Sequence, residues 1–335
     1  MIKTKLGVVL SGGGAKGAYE AGFLKALAEL GIKPDAIAGT SIGALNGSVY
    51  AAQKDTTNVA YMLKEIWQKM AESKALKVDK KKAFLNIAEV ITFFSPLAPV
   101  SRGVKIATTL IRGGSSKEGM LSTDPAENIL QEYAPVESLL NGLPFYVGVT
   151  ESKGNIVDTL RFLGLSNSGL TEYVKVQSLA QEDMYKIILA SAALPLLFDS
   201  VKVEGKNYRD GCLSSLDNSG GNTPAKPLVE KENCTHLIVC HLDNGSFFNR
   251  YEFKDINIIE IRPKFGTFSS AIDPLKFSVD KIDLWMEQGY QDSMKILKDS
   301  FDALNGKHER IVSEKYSDDA VDRLKNNNFF IPREM

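Results

Sequence analysis

Ser41 stands in Gly39-Thr40-Ser41-Ile42-Gly43, at the point where an apolar run ends and a helical pattern begins. This is the G-x-S-x-G arrangement, in which a sharp strand-to-helix bend lifts a serine hydroxyl clear of a sheet and glycines relieve the crowding beside it. A serine so placed also sits near the positive end of a helix dipole, which favours an alkoxide and a later oxyanion. The chemistry on offer is nucleophilic attack on a carbonyl. Taken alone, the five residues read equally well as a glycine-flanked helix cap.

A second glycine-rich turn, Gly12-Gly13-Gly14-Ala15-Lys16-Gly17, follows the apolar run Leu6 to Leu10. Gly12, Gly14 and Gly17 fit the dinucleotide pattern G-x-G-x-x-G, but that site needs an acidic residue at the end of the next strand to hold a ribose. Here that place holds Ala38 and Gly39, leading straight into Ser41, while Asp35 precedes the strand. A phosphate P-loop is excluded because the turn lacks Gly-Lys-Ser/Thr. Adjacent parallel strands would instead bring Gly12, Gly13 and Gly14 beside Ser41, with backbone N–H groups free to face the oxygen of an attacked carbonyl.

The elements that must position these turns are legible in the same stretch. Strands are expected at 5–10 and 36–38, each followed by a glycine turn and a helix, the first helix ending near Leu30 before Gly31 and Pro34. That order predicts an α/β fold with a mainly parallel central sheet and helices on both faces. Further strands are expected at 145–150, 200–203, 237–241 and 256–261, and helices from Thr123-Asp124-Pro125 and over Lys186–Ala193. Residues 55–120 read as a mostly helical insertion or lid over the sheet, with lysines at 77, 80, 81 and 82. In it, Phe84–Val100 reads as a core-covering helix. The catalytic domain is expected over 1–300, and 301–335 as a charged helical cap.

The chain of 335 residues is 44% hydrophobic and 24% charged, which calls for a sizeable buried core. Its formal net charge of −1 argues against a nucleic-acid partner. Three cysteines, Cys212, Cys234 and Cys240, are an odd set in so large a chain and fit a reducing, cytoplasmic setting. They lack the paired spacing of a zinc site, so no metal is expected. The apolar run 6–10 is too short for a secretory signal, and Asn86, Glu89 and Thr92 interrupt the longest apolar stretch, so no transmembrane helix is expected.

With both turns in place, the sequence resembles the patatin-like phospholipase family, whose hallmark is G-G-G-x-[R/K]-G followed closely by G-x-S-x-G. The resemblance continues through Ala190-Ser191-Ala192-Ala193-Leu194-Pro195-Leu196-Leu197-Phe198 and ends in Tyr208-Arg209-Asp210-Gly211, where the family carries its catalytic Asp-Gly pair. By itself Asp-Gly is a common turn dipeptide. The resemblance implies a three-layer α/β sandwich in which Asp210 takes the proton of Ser41 directly, Gly39 and Gly43 form the elbow, and Lys16, Gly17 and Gly211 support the site. It implies hydrolysis of carboxylic esters in phospholipids or lysophospholipids through an acyl-serine, with no cofactor. Transient contact with the inner face of a membrane goes with it. Acyl transfer by the same acyl-enzyme and a silent lipid-binding protein are the alternatives. One departure is that Cys212 follows Asp210-Gly211, and Asn222-Thr223-Pro224 comes only after a polar loop.

The mechanistic rival is a serine, acid, histidine triad. Of His236, His241 and His308, only His241 follows a strand at the edge where active sites of parallel sheets gather.

Overall fold

Five apolar residues, Leu6–Leu10, form β1, and all but the first are buried, as expected of a strand covered on both faces. A computed structural model describes residues 4–72, 123–162, 166, 169–195, 197–213, 219–270 and 273–326. After β1 the chain turns into α1 (Ala18–Glu29), then β2 (Ala36–Thr40) and α2 (Ile42–Ala51), giving the expected strand, turn, helix order twice. The helix α3 (Val59–Glu72) falls within the stretch expected as an insertion and buries Leu63, Ile66 and Trp67. The rest of the stretch expected as an insertion, including the lysine cluster and Phe84–Val100, lies outside the described residues.

The chain continues through α4 (Asp124–Tyr133), α5 (Val136–Leu140), β3 (Phe145–Glu151), α6 (Asn155–Phe162), β4 (Thr171–Lys175) and α7 (Gln181–Ser191). It then forms β5 (Val201–Val203), β6 (Lys206–Asp210), α8 (Lys226–Glu230), β7 (His236–Cys240), β8 (Asn257–Ile261) and the helix α9 (Val279–Asn326). Contacts divide the chain into two compact units, Met1–Asp292 and Ser293–Met335. Among the described residues, no helix is long and apolar enough to cross a membrane.

The strands make one mixed, mostly parallel sheet with the hydrogen-bonded path β5-β6-β3-β2-β1-β7-β8, and β4 also pairs with β3. On one face Val9, Ala36, Ala38 and Tyr146 pack with Leu228 of α8 and with Phe253. On the other, α2 lies close enough that Gly47 faces the side chains of Leu10, Ile37 and Phe145. Helices therefore cover both faces.

Register explains how residues distant in sequence meet. Tyr146, Val147 and Gly148 of β3 pair with β2 and β4 at once, while Val149 and Thr150 pair with β4 and β6 at once. A strand residue has one partner on each side, so β2 and β6 follow one another along the same side of β3. Thr40 lies against Gly148 and Asp210 against Val149, with the two strands running toward each other.

Two strands, β4 and β6, and the helices α5, α6 and α8 go beyond the sequence expectation. Lys206–Asp210 carries polar residues at four of its five positions (KNYRD), which hides its strand character. The helix expected over Lys186–Ala193 begins earlier, at Gln181. No side chain caps its start at Ala180, and only the acidic pair Glu182 and Asp183 in the first turn marks it.

Candidate active site

Ser41 leaves β2 with φ 56° and ψ −123°, a left-handed conformation that costs a non-glycine residue about 1–3 kcal/mol. Its carbonyl accepts from Ala44 and Leu45, so α2 starts directly on the bend. Tight turning explains both flanking glycines: a Cβ at Gly39 would overlap the Gly43 carbonyl, and one at Gly43 would lie 2.6 Å from the Leu10 carbonyl oxygen. The Ser41 N–H donates to Ser191 Oγ at 2.8 Å, and that hydroxyl donates to the Gly148 carbonyl at 2.7 Å. Buried Ser191 thus fixes the strained bend to β3. Only 8% of Ser41 is exposed.

The glycine turn lies against this bend. A Cβ at Gly12 would stand 3.2 Å from the Ser41 Cβ and 2.5 Å from Asn222 Oδ1. Asn222 holds Gly12 from both sides, accepting its N–H at 3.1 Å and donating from Nδ2 to its carbonyl at 3.4 Å. Gly12 is therefore committed, and its N–H does not face the site as a free donor. Gly13 and Gly14 have no acceptor for their N–H groups among the described residues. Thr223 joins the same clamp through a 3.1 Å bond between its hydroxyl and that of Ser11. The segment Asn222-Thr223-Pro224 thus reaches the turn despite the polar loop before it.

Lys16 is drawn into the protein. Its ammonium lies 3.5 Å from Asp243 and 5.1 Å from the centre of the Phe268 ring, and burial lowers its pKa. Gly17 packs against the Ile42 side chain, and its carbonyl accepts from Asn46 Nδ2 at 3.0 Å. Asn46 also donates to Glu20 at 3.0 Å and accepts from the Trp67 indole at 3.1 Å. This buried side chain on α2 ties the two glycine turns together. Burial lifts the Glu20 pKa well above its usual range, against the hydrogen bonds from Asn46 and the Ser11 backbone.

Asp210 is fully buried. Its Oδ1 accepts from the Cys212 N–H at 2.9 Å, while Oδ2 has no hydrogen bond among the described residues. Burial pushes its pKa up to about 6, and the Cys212 N–H and the Ser41 hydroxyl restrain the rise. Neighbouring Arg209 does not neutralise it, because successive strand residues face opposite sides. Arg209 instead pairs with buried Asp158 at 2.9 Å and bonds Asn155 at 2.6 Å and the Phe198 carbonyl at 2.8 Å. Gly211 is required by crowding, since a Cβ there would lie 2.6 Å from the Gly148 carbonyl oxygen.

His241 does not join this group. Its Nε2 pairs at 2.9 Å with Glu260 of β8, and β7 lies two strands from β2, roughly 10 Å across the sheet. Burial lowers the His241 pKa, whereas Glu260 is held at about 2 by His241 and Arg262. Cys234 and Cys240 are buried free thiols, and Cys212 is half-buried. No group of three His, Cys, Asp or Glu side chains fit to hold a metal occurs among the described residues.

The sequence brought Ser41, Asp210 and the glycine turns to notice but gave no role to Asn46, Glu20, Ser191 or Asn222. For Ser191 and Asn222 a signal existed, since each sits in a block already set out; for Asn46 and Glu20 none did. Chemically, the arrangement offers a constrained hydroxyl, a carboxylate with an unused oxygen, and two amide donors without acceptors in the neighbouring glycine turn.

The profile described as Patatin-like phospholipase matches residues 8–220. Among curated proteins, Neuropathy target esterase sws of Drosophila melanogaster is 43% identical over 67 residues. The match covers 20% of this chain but only 5% of that protein. Among solved structures, VipD from Legionella pneumophila superposes with a TM-score of 0.41 at 15% identity, over 88% of this chain and 67% of that one. The type III effector protein ExoU gives 0.40 at 13% identity, over 88% of this chain and 53% of that one.

Proposed function

The chain belongs to the patatin-like phospholipase family, and from that premise we propose that it is a serine acyl hydrolase of phospholipids or lysophospholipids. The observation that carries this reading is the approach of β2 and β6 along β3, which sets Ser41 beside a buried Asp210 with one oxygen unused. Ser41 Oγ attacks the ester carbonyl carbon while its proton passes to Asp210 Oδ2. The tetrahedral oxyanion is met by the Gly13 and Gly14 N–H groups. Collapse breaks the ester bond, and the departing alcohol takes the proton from Asp210. Water then attacks the acyl-Ser41 carbonyl as Asp210 accepts its proton; the Oγ–carbon bond breaks, Asp210 returns the proton to Ser41 Oγ, and the fatty acid leaves.

An ordinary aspartate, with a pKa near 3.9, is a weak base at neutral pH. Burial narrows that gap by raising Asp210 to about 6, and an acyl chain filling the site narrows it further by excluding water. The test is release of fatty acid from phosphatidylcholine and lysophosphatidylcholine. Wild-type protein should release it and Ser41→Ala should not. No release by wild type on either lipid, or equal release by both proteins, would contradict the proposal.

A further inference from the structure

Two loops at the carboxyl edge of the sheet wall the glycine turn: Gly13 faces Leu242, at the start of the β7 loop, and Gly14 faces the Pro274 carbonyl, beyond the β8 loop. Each loop packs one half-buried phenylalanine against the protein and exposes another. After β7, Phe248 turns inward, stacked on Phe253 and edge-on to His241, while Phe247 is 62% exposed. After β8, Phe268 packs against Tyr19, Trp285 and the Lys16 ammonium, while Phe265 is 96% exposed.

Neither exposed ring sits on a slack segment. Arg262 donates to the carbonyls of Asn244 and Ser246, holding the stretch that leads into Phe247. Phe265 stands in a tight turn closed by Thr267 N–H to Lys264 carbonyl at 3.1 Å, with Gly266 at φ 88°, and the Trp285 indole binds the Thr267 carbonyl. The backbone that carries each ring is held by these bonds, and both rings stand in solvent. Cations near them are largely matched, with Lys16 on Asp243, Lys264 on Asp292 and Arg262 on Glu260.

We propose that Phe247 and Phe265 are paired anchors that dock the mouth of the active site on a zwitterionic lipid surface. This rests on the acyl-hydrolase reading, and deepens it by naming the face that meets the membrane. Binding is driven by aromatic insertion and not by charge, because the neighbouring cations already have partners. A lipid lifted toward Ser41 then travels along protein walls without crossing open water.

The test uses Ser41→Ala protein and sedimentation with phosphatidylcholine vesicles, so binding is read without turnover. Phe247→Ser and Phe265→Ser should each weaken partition about tenfold and the pair about a hundredfold. Raising salt several-fold, or adding anionic lipid, should change partition by less than about twofold. On the Ser41 background, the same substitutions should leave hydrolysis of a monomeric short-chain ester unchanged, which also reports that the fold is intact. Unaltered partition of the double variant, binding that requires anionic lipid, or a wild-type dimer dispersed by Phe265→Ser would overturn the proposal. Vesicle binding without fatty-acid release by wild type would instead count against the hydrolase reading and leave the docking face standing.

Discussion

Two buried titratable groups lie at the carboxyl-terminal edge of the sheet, and their surroundings differ in one respect. His241, at the end of β7, is matched by Glu260, whose charge is in turn shared with Arg262 and Arg250. Asp210, at the end of β6, has no cation beside it among the described residues, because Arg209 points the other way and is taken by Asp158. A matched buried group is scaffold; a buried carboxyl denied a countercharge is left with proton affinity to use. On the proposed mechanism, the residue that looks the better base from its type is the structural one, and the weaker base by type is the one that takes the proton.

The largest effect should come from the Asp210 side. Ser41→Ala should lower kcat/KM for lipid esters on the order of 10⁵-fold and Asp210→Asn on the order of 10⁴-fold, measured by fatty-acid release. The wild-type profile should fall as pH drops through about 6, where Asp210 takes up a proton. A wild-type acid limb near pH 4 would break the contrast drawn above.

Stability should move in the opposite sense. Asp210 holds its proton more tightly when folded, at about 6 against an ordinary 3.8, so its contribution is most favourable below about pH 4 and is lost as pH rises through 6. Asp210→Asn escapes that loss and should be about 3 kcal/mol more stable than wild type at pH 8, with the difference fading toward pH 4, by denaturant titration. Equal stability at both pH values would mean that the carboxyl is not desolvated.

Positioning groups should cost less. Ser191→Ala removes the acceptor of the Ser41 N–H, and Asn46→Ala unlinks the two glycine turns. Each should reduce kcat about tenfold to a hundredfold with KM little changed, and Ser191→Thr should recover part of the loss. A rise in KM alone would assign these residues to substrate binding. Smallest of all, His241→Gln should change kcat/KM by less than about threefold while lowering stability by about 1–2 kcal/mol. An activity loss matching that of Asp210→Asn would restore the triad.

Much of this contrast was legible in the chain because two turns carry their geometry in glycines. Gly39 and Gly43 mark a bend that admits no Cβ, and Gly12 marks a contact with Ser41, so residue type alone reported close approach. What stayed hidden depends on register. Nothing in Lys206–Asp210 announces a strand, and no local pattern says that it meets β2 end to end beside Gly148 and Val149. Asn222 stood in a block already set out, Asn222-Thr223-Pro224, but no local pattern says which backbone groups it binds. The structure makes it the clamp on Gly12, so of the expected trio of donors only the Gly13 and Gly14 N–H groups are without an acceptor among the described residues. Asn46 looked like one more position on an apolar helix, and only the fold puts Gly17, Glu20 and Trp67 around it.

Fluorophosphonate labelling of Ser41, timed from pH 5 to pH 8 in wild type, Asp210→Asn and His241→Gln, tests the pairing of Ser41 with Asp210 most directly. Labelling should accelerate through about pH 6 in wild type and His241→Gln and stay slow and flat in Asp210→Asn. Labelling of Asp210→Asn at the wild-type rate, or loss of labelling in His241→Gln alone, would contradict it.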